Sequence, residues 1–317
     1  MKFDPDWWVE LEQNYHTTMA ARQELLAKYP EHIMFSYPGS ELACRELMEM
    51  LLQFITRRYP QYFSLDPSNT ILTNHLLNTE TNLLTTPPLQ VIFSNIPEDY
   101  ALMLRNEEDG LYYLRAAGVC SSVGWDIGQH RNKPLSAIHT HVPDFREKMA
   151  FSMDRFFAKM PVEQPIQRCS WGLEDHAPLF SSPEVVKGWQ RSAFADRPGE
   201  LKVKDLQLRC DWQTLRRLPL SGAIVFNFKA VFNPFADLRH EPYVPALLLK
   251  ILREGKDNLI TYKCVDHVRQ AAMGALEAWA KEQVDGGVVP EDWEVGTLDE
   301  SPFYPGWEKR WRERQGF

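Results

Sequence analysis

The chain has 317 residues, 44% of them hydrophobic and 25% charged, which excludes wholesale disorder and allows a sizeable core without disulfides. Formal net charge is −8, from 35 Lys and Arg against 43 Asp and Glu. A nucleic-acid role would therefore need a local basic patch, and neither Arg216-Arg217 nor the mixed tail around Lys309, Arg310, Arg312 and Arg314 provides one.

The acidic, tryptophan-rich start lacks the flanks of a signal peptide, and every apolar run is short, so neither a leader nor a membrane span is expected. Five scattered cysteines without a CxxC pair argue against a disulfide scaffold or zinc ribbon and for a reducing compartment, hence a cytoplasmic protein. Length allows one large domain or two ordinary ones.

In chain order, Ala43, Leu47, Met50, Leu51 and Phe54 recur at helical spacing. Ser40 stands as N-cap and Tyr59-Pro60 closes the helix. Leu89–Phe93, rich in branched and aromatic residues, reads as a strand. Tyr100–Leu104 and Leu111–Leu114 flank Asp109-Gly110 and predict a hairpin. A helix is expected from Asp144, as its cap, to Met160. Strands follow at Gln167–Leu173, Leu206–Leu215 and Ala223–Phe232, then helices over 244–254 and 261–283. The tail from Gly286 is expected to drape over the body. The economical reading is α+β, one antiparallel sheet flanked by helices.

No GxGxxG, Walker-type loop, GxSxG elbow or HExxH occurs, so a standard nucleotide loop or hydrolase motif is not expected. The most chemical stretch is Ile138-His139-Thr140-His141-Val142-Pro143. On an extended segment the two imidazoles would share a face, as in a metal site. A packed His139 beside a surface His141 explains the same residues, and a lone histidine can also hold haem iron. Arg209, Gln213 and Arg216 lie on the Leu208–Pro219 stretch, where arginines could clamp a carboxylate or a propionate or face solvent. Arg168 and Trp171 could support a pocket or serve packing, and Lys263 could be a solvated charge.

The ordered set resembles the haem-dependent oxidative N-demethylase-like family. It comprises Trp8, Tyr15, Arg22, Glu41-Leu42, Arg57-Arg58-Tyr59-Pro60 with Phe63, Glu98-Asp99-Tyr100, Val119-Cys120 with Trp125, and Ile138-His139-Thr140-His141-Val142-Pro143. It continues with Arg168-Cys169-Ser170-Trp171, Gln213-Thr214-Leu215-Arg216-Arg217-Leu218-Pro219, Gly222–Phe226 and Tyr262-Lys263. The resemblance implies a PAS-like fold that binds haem b and the oxygenase part of a complex that demethylates a small amine. Electrons would come from a separate flavin and iron–sulfur reductase.

It puts the axial iron ligand, and so the metal site, on His139. Arg168, Trp171 and Arg216 become further haem contacts, and Arg209, Gln213 and His141 become candidates for the catalytic pocket. Three departures touch that site: His141 in place of the family's proline, Asp211-Trp212 in place of an acid–arginine pair, and Cys169-Ser170 before Trp171. The expected organisation is a helical cap over 1–68, a haem-binding core over 69–260, and a C-terminal helix and tail over 261–317. Competing readings are a haem-binding sensor or carrier without turnover, and a metal-free scaffold or zinc hydrolase using His139 and His141.

Overall fold

The computed structural model describes residues 3–122, 125–177, 180, 201–263, 265–295, 309 and 312–313. The tail expectation beyond 295 and Cys264 thus fall outside the described residues, apart from 309, 312 and 313.

The chain opens with helices α1 (Tyr15–Lys28) and α2 (Pro30–Ile33), edge strand β1 (Met34–Ser36) and the long helix α3 (Glu41–Arg58). Helix α3 forms as its spacing predicts, burying Ala43, Leu47, Leu51 and Ile55 along one stripe. Tyr59 ends it, its N–H returning to the Ile55 carbonyl at 2.8 Å. Ser40 precedes the helix but does not cap it through its side chain. Its hydroxyl instead donates to the Tyr37 carbonyl at 2.6 Å, while the Glu41 carboxylate accepts the Gly39 N–H at 2.8 Å.

Strands β2 (Phe63–Leu65), β3 (Ile71–Asn74) and β4 (Thr79–Asn82) make a small separate sheet, so the described residues form two antiparallel sheets rather than one. The expected strand at Leu89–Phe93 is helix α4 (Pro88–Asn95). A short apolar run has no period to separate the two states, and Pro88 at the first helical position fixes φ for a helix. Burial of Leu89, Val91 and Ile92 in the α3 core then holds it.

The main sheet follows. Strands β5 (Asp99–Arg105) and β6 (Tyr112–Gly118) form the expected hairpin, and Gly110 supplies the turn's left-handed residue at φ +74°. Helix α5 (Leu135–Ile138) and helix α6 (Ala150–Lys159) come next, then β7 (Ile166–Glu174), β8 (Gln207–Arg217) and β9 (Ile224–Pro234). The order is β1-β6-β5-β9-β8-β7, antiparallel throughout.

The helix expected from Asp144 to Met160 is broken. Phe145–Met149 is a π-helical turn, and Asp144 sits at φ +58° with its carboxylate on Lys148 at 2.6 Å instead of capping. The last expected helix is likewise split, after α7 (Val244–Glu254), into α8 (Asp257–Tyr262) and α9 (Asp266–Asp285).

Helices α1, α3 and α4 cover one face of the β5 and β6 region, and α5 and α6 cover the other. Helices α7, α8 and α9 pack on Leu173 and Leu208 at the far end of the long strands. Arg217 locks α6 to the sheet, donating to the carbonyls of Phe157, Met160 and Gly222. Among the described residues no helix is long and apolar enough to cross a membrane.

Candidate functional site

Register decides which candidates meet. Across β7, β8 and β9 four rows share a face: Ile166–Leu215–Phe226, Arg168–Gln213–Phe228, Ser170–Asp211–Ala230 and Gly172–Arg209–Phe232. Leu215, Phe226 and Phe228 on this face pack with Leu135 and Ile138 of α5 and Met153 of α6. The structure therefore brings Arg168, Arg209 and Gln213 to the face on which α5 delivers His139.

Trp171 and Arg216 alternate to the other face. Arg216 lies over the Trp8 ring, 4.0 Å to its centroid, and Trp171 packs into the core under α7 and α9.

His139 does not stand on a strand. It ends α5, and the chain turns directly afterwards, with Val142 N–H donating to the His139 carbonyl at 3.0 Å. That corrects the expectation of two imidazoles side by side on an extended segment: His139 is half-buried and His141 exposed. The His139 ring stacks on Phe145, centroids 5.0 Å apart and 13° from parallel.

Its Nδ1 lies 2.9 Å from the Leu135 carbonyl oxygen. A carbonyl only accepts, so Nδ1 carries the proton and Nε2 keeps its lone pair. Burial, reinforced by the charge of Arg168, holds the imidazole below the usual histidine range despite that hydrogen bond. At neutral pH His139 is thus uncharged, oriented and basic at Nε2.

Around it the lining is aromatic and polar in alternation. The rings of Phe226 and Phe228 stack at 5.2 Å, Trp125 lies 5.9 Å from Phe228, and His130 lies 6.3 Å from Trp125. His130 is pushed down to about 4, chiefly by burial, with His139 and His141 near enough to contribute. Arg209 donates from Nε to Asp211 at 2.8 Å and from Nη2 to the Ser121 carbonyl at 3.0 Å. Its Nη1, the Gln213 Oε1 and the His130 Nδ1 are buried with no hydrogen-bond partner among the described residues. Buried polar atoms left open in this way cost about 1–3 kcal/mol each unless a ligand or water completes them.

These features fit a haem. They provide one neutral imidazole with its second nitrogen committed, two arginines able to meet carboxylates, and aromatic surface for a flat ring. Among the described residues no three His, Cys, Asp or Glu side chains gather as a ligand set for a bare ion. A cavity of about 300 Å3 opens beside α1, where β9 runs beyond β5, and Tyr15, Arg22, Ser121, Lys229 and Phe232 are among its walls. His139 does not line it.

Sequence reasoning did not reach Ser121, which ties Arg209 to the hairpin, or Phe145, which carries the imidazole. Ser121 lies in a loop and has no periodic signal; Phe145 belongs to the apolar spacing of the expected helix, but its stacking on His139 depends on the π-helical turn that replaces that helix's start. A model of the family described as haem-dependent oxidative N-demethylase, alpha subunit-like, matches residues 1–273. With most of its length matched, the chain belongs to the haem-dependent oxidative N-demethylase alpha subunit-like family.

Proposed function

We propose that the chain is the haem b-binding oxygenase component of a demethylating system, with the site on the face of β7, β8 and β9 that His139 reaches. The observation that carries this reading is the His139 imidazole, neutral, with Nδ1 held by the Leu135 carbonyl and stacked on Phe145. The family match and the open polar atoms of Arg209 and Gln213 on the same face support it.

In this reading His139 Nε2 is the iron ligand, and Leu135 fixes its tautomer. Arg168 and Arg209 hold the haem propionates or the pocket rim, with Asp211 restraining the Arg209 guanidinium. Gln213 turns its amide toward the substrate, and exposed His141 stands at the edge of the pocket. Trp171 and Arg216 brace the same strands from behind. A haem held there supplies oxidation of a carbon next to nitrogen by O2.

The overall change balances: one N-methyl amine, one O2, two electrons and two protons give the demethylated amine, one formaldehyde and one water. Electrons come from a separate flavin and iron–sulfur reductase, and the hydroxymethylamine formed on the way loses formaldehyde by itself. A PAS-like classification rests on the resemblance, and it is supported by the central antiparallel sheet with helices α5 and α6 laid over one face. The test is to supply haem-loaded protein with a surrogate reductase and a panel of small N-methyl amines. Formaldehyde formed in step with O2 consumption supports the proposal. Ligand binding without formaldehyde from any amine would convert it to a sensor or carrier.

A further inference from the structure

Behind the proposed site, on the opposite face of β7 and β8, lies a group that the demethylation reading does not use. Cys169 pairs across the ladder with Trp212, and Trp171 with Cys210, so the two cysteines are diagonal neighbours on adjacent antiparallel strands. Equal parity in the register puts both on one face. Diagonal positions are generally about 7–8 Å apart at Cα, beyond the disulfide range of about 4.4–6.8 Å, so closure requires an approach of the two strands. Strand β7 can make it, because among the described residues it is the outermost strand of the sheet, with β8 as its one strand neighbour.

The two thiols differ in the way that thiol exchange requires. Cys169 is exposed and Cys210 is half-buried behind it. The Cys169 thiol donates to the Ser170 carbonyl at 3.3 Å, and the nearby Cys210 thiol holds Cys169 below the usual thiol range while Cys210 itself is pushed up. Lys263 adds positive charge near both: its ammonium donates to the Trp171 carbonyl at 2.6 Å and lies 4.9 Å from the centre of the Trp171 ring. An accessible thiol that ionises readily, backed by a second thiol, is the arrangement of a reversible redox pair.

We propose that Cys169 and Cys210 form a reversible disulfide, with Cys169 as the attacking thiol and Cys210 as the resolving one, and low-molecular-weight disulfides as the oxidant. The Cys169 thiolate attacks one sulfur of the oxidant, RS–SR, forming a Cys169–SR mixed disulfide and expelling RS−. Cys210, losing its proton to solvent, then attacks the Cys169 sulfur and expels the second RS−. Two cysteine thiols are oxidised and one RS–SR is reduced to two RSH. Because β7 carries Arg168 on its other side, the same movement reaches the face of His139.

The experiment exposes the full chain to oxidised glutathione, alkylates the remaining thiols and maps the peptides by mass spectrometry. Expected is loss of two of the five thiols, recovered in one peptide linking Cys169 to Cys210, and full return with dithiothreitol. Cys210→Ser should trap glutathione on Cys169, and Cys169→Ser should leave Cys210 unmodified. Glutathione stable on Cys169 in the unaltered chain, a link from either cysteine to Cys264, or no loss of thiols would each overturn the proposal. The unaltered chain alone gives the decisive map, so the result does not depend on the variants folding.

Discussion

Two arginine–aspartate pairs, joined through one serine, show how this fold separates framework from site. Arg22 and Asp99 meet at 2.6 Å with each side chain 1% exposed. Asp99 is saturated, accepting also from the backbone of Cys120 and from the Ser121 N–H and hydroxyl. The Ser121 carbonyl then accepts from Arg209, whose own partner Asp211 is 19% exposed and, among the described residues, takes only that guanidinium. The first pair uses the whole Asp99 carboxylate and both Arg22 Nη atoms, leaves Nε without a partner among the described residues, and fastens α1 to the start of β5. The second keeps a nitrogen open toward the face of His139. A buried ion pair whose carboxylate is fully used serves structure, and one whose carboxylate stays partly exposed beside the face of His139 is positioned for a ligand.

Breaking the first pair should have the largest effect. Asp99→Ala leaves Arg22 buried without its counter-ion and should cost about 3–5 kcal/mol in urea denaturation. A loss no larger than that of Asp211→Ala would erase the contrast. Asp211→Ala should cost about 1–2 kcal/mol, since Arg209 keeps the Ser121 carbonyl and solvent can reach the gap. Its greater effect is expected on haem retention, read by titrating haem into the variant.

The histidine face should also be visible in pH. His130 and His139 are held below the usual histidine range by burial, so the unfolded chain binds more protons than the folded one in mildly acid solution. Stability should thus fall as pH drops from the ordinary histidine value of about 6.5 toward the value of about 4 reached by His130. His130→Gln should flatten that slope in denaturation midpoints taken between those limits, and an unchanged slope would remove His130 from the account.

The smallest effect belongs to the back of the sheet. Arg216→Ala removes a cation from over Trp8 and should cost about 1 kcal/mol. Haem binding should stay unchanged, and a loss of haem in that variant would move the site to the other face.

Much of this architecture is legible in the sequence. The stripe of α3, the Asp109-Gly110 hairpin and the three long strands follow directly from periodicity and turn chemistry. The division of the strand residues between faces is also a matter of counting: Arg209 and Gln213 differ by four and share a face, while Arg216 differs from Arg209 by seven and cannot. Helix α4 is not legible as a helix, because a short run of four apolar residues interrupted by Gln90 is equally good as a buried strand until α3 packs on it. The turn after α5 is hidden for a related reason. Nothing local says that the Leu135 carbonyl, four residues before His139, will accept from its Nδ1–H, or that Phe145, six residues after it, will stack on its ring.

The central claim is that His139 is the residue on which haem binding depends. Absorption spectra of the chain and of His139→Ala, both expressed with haem supplied, test it most directly. The account predicts a Soret band in the chain that shifts on reduction under CO, and its loss or displacement in the variant, with the variant's denaturation midpoint nearly unchanged. An identical spectrum in a folded His139→Ala protein would contradict it.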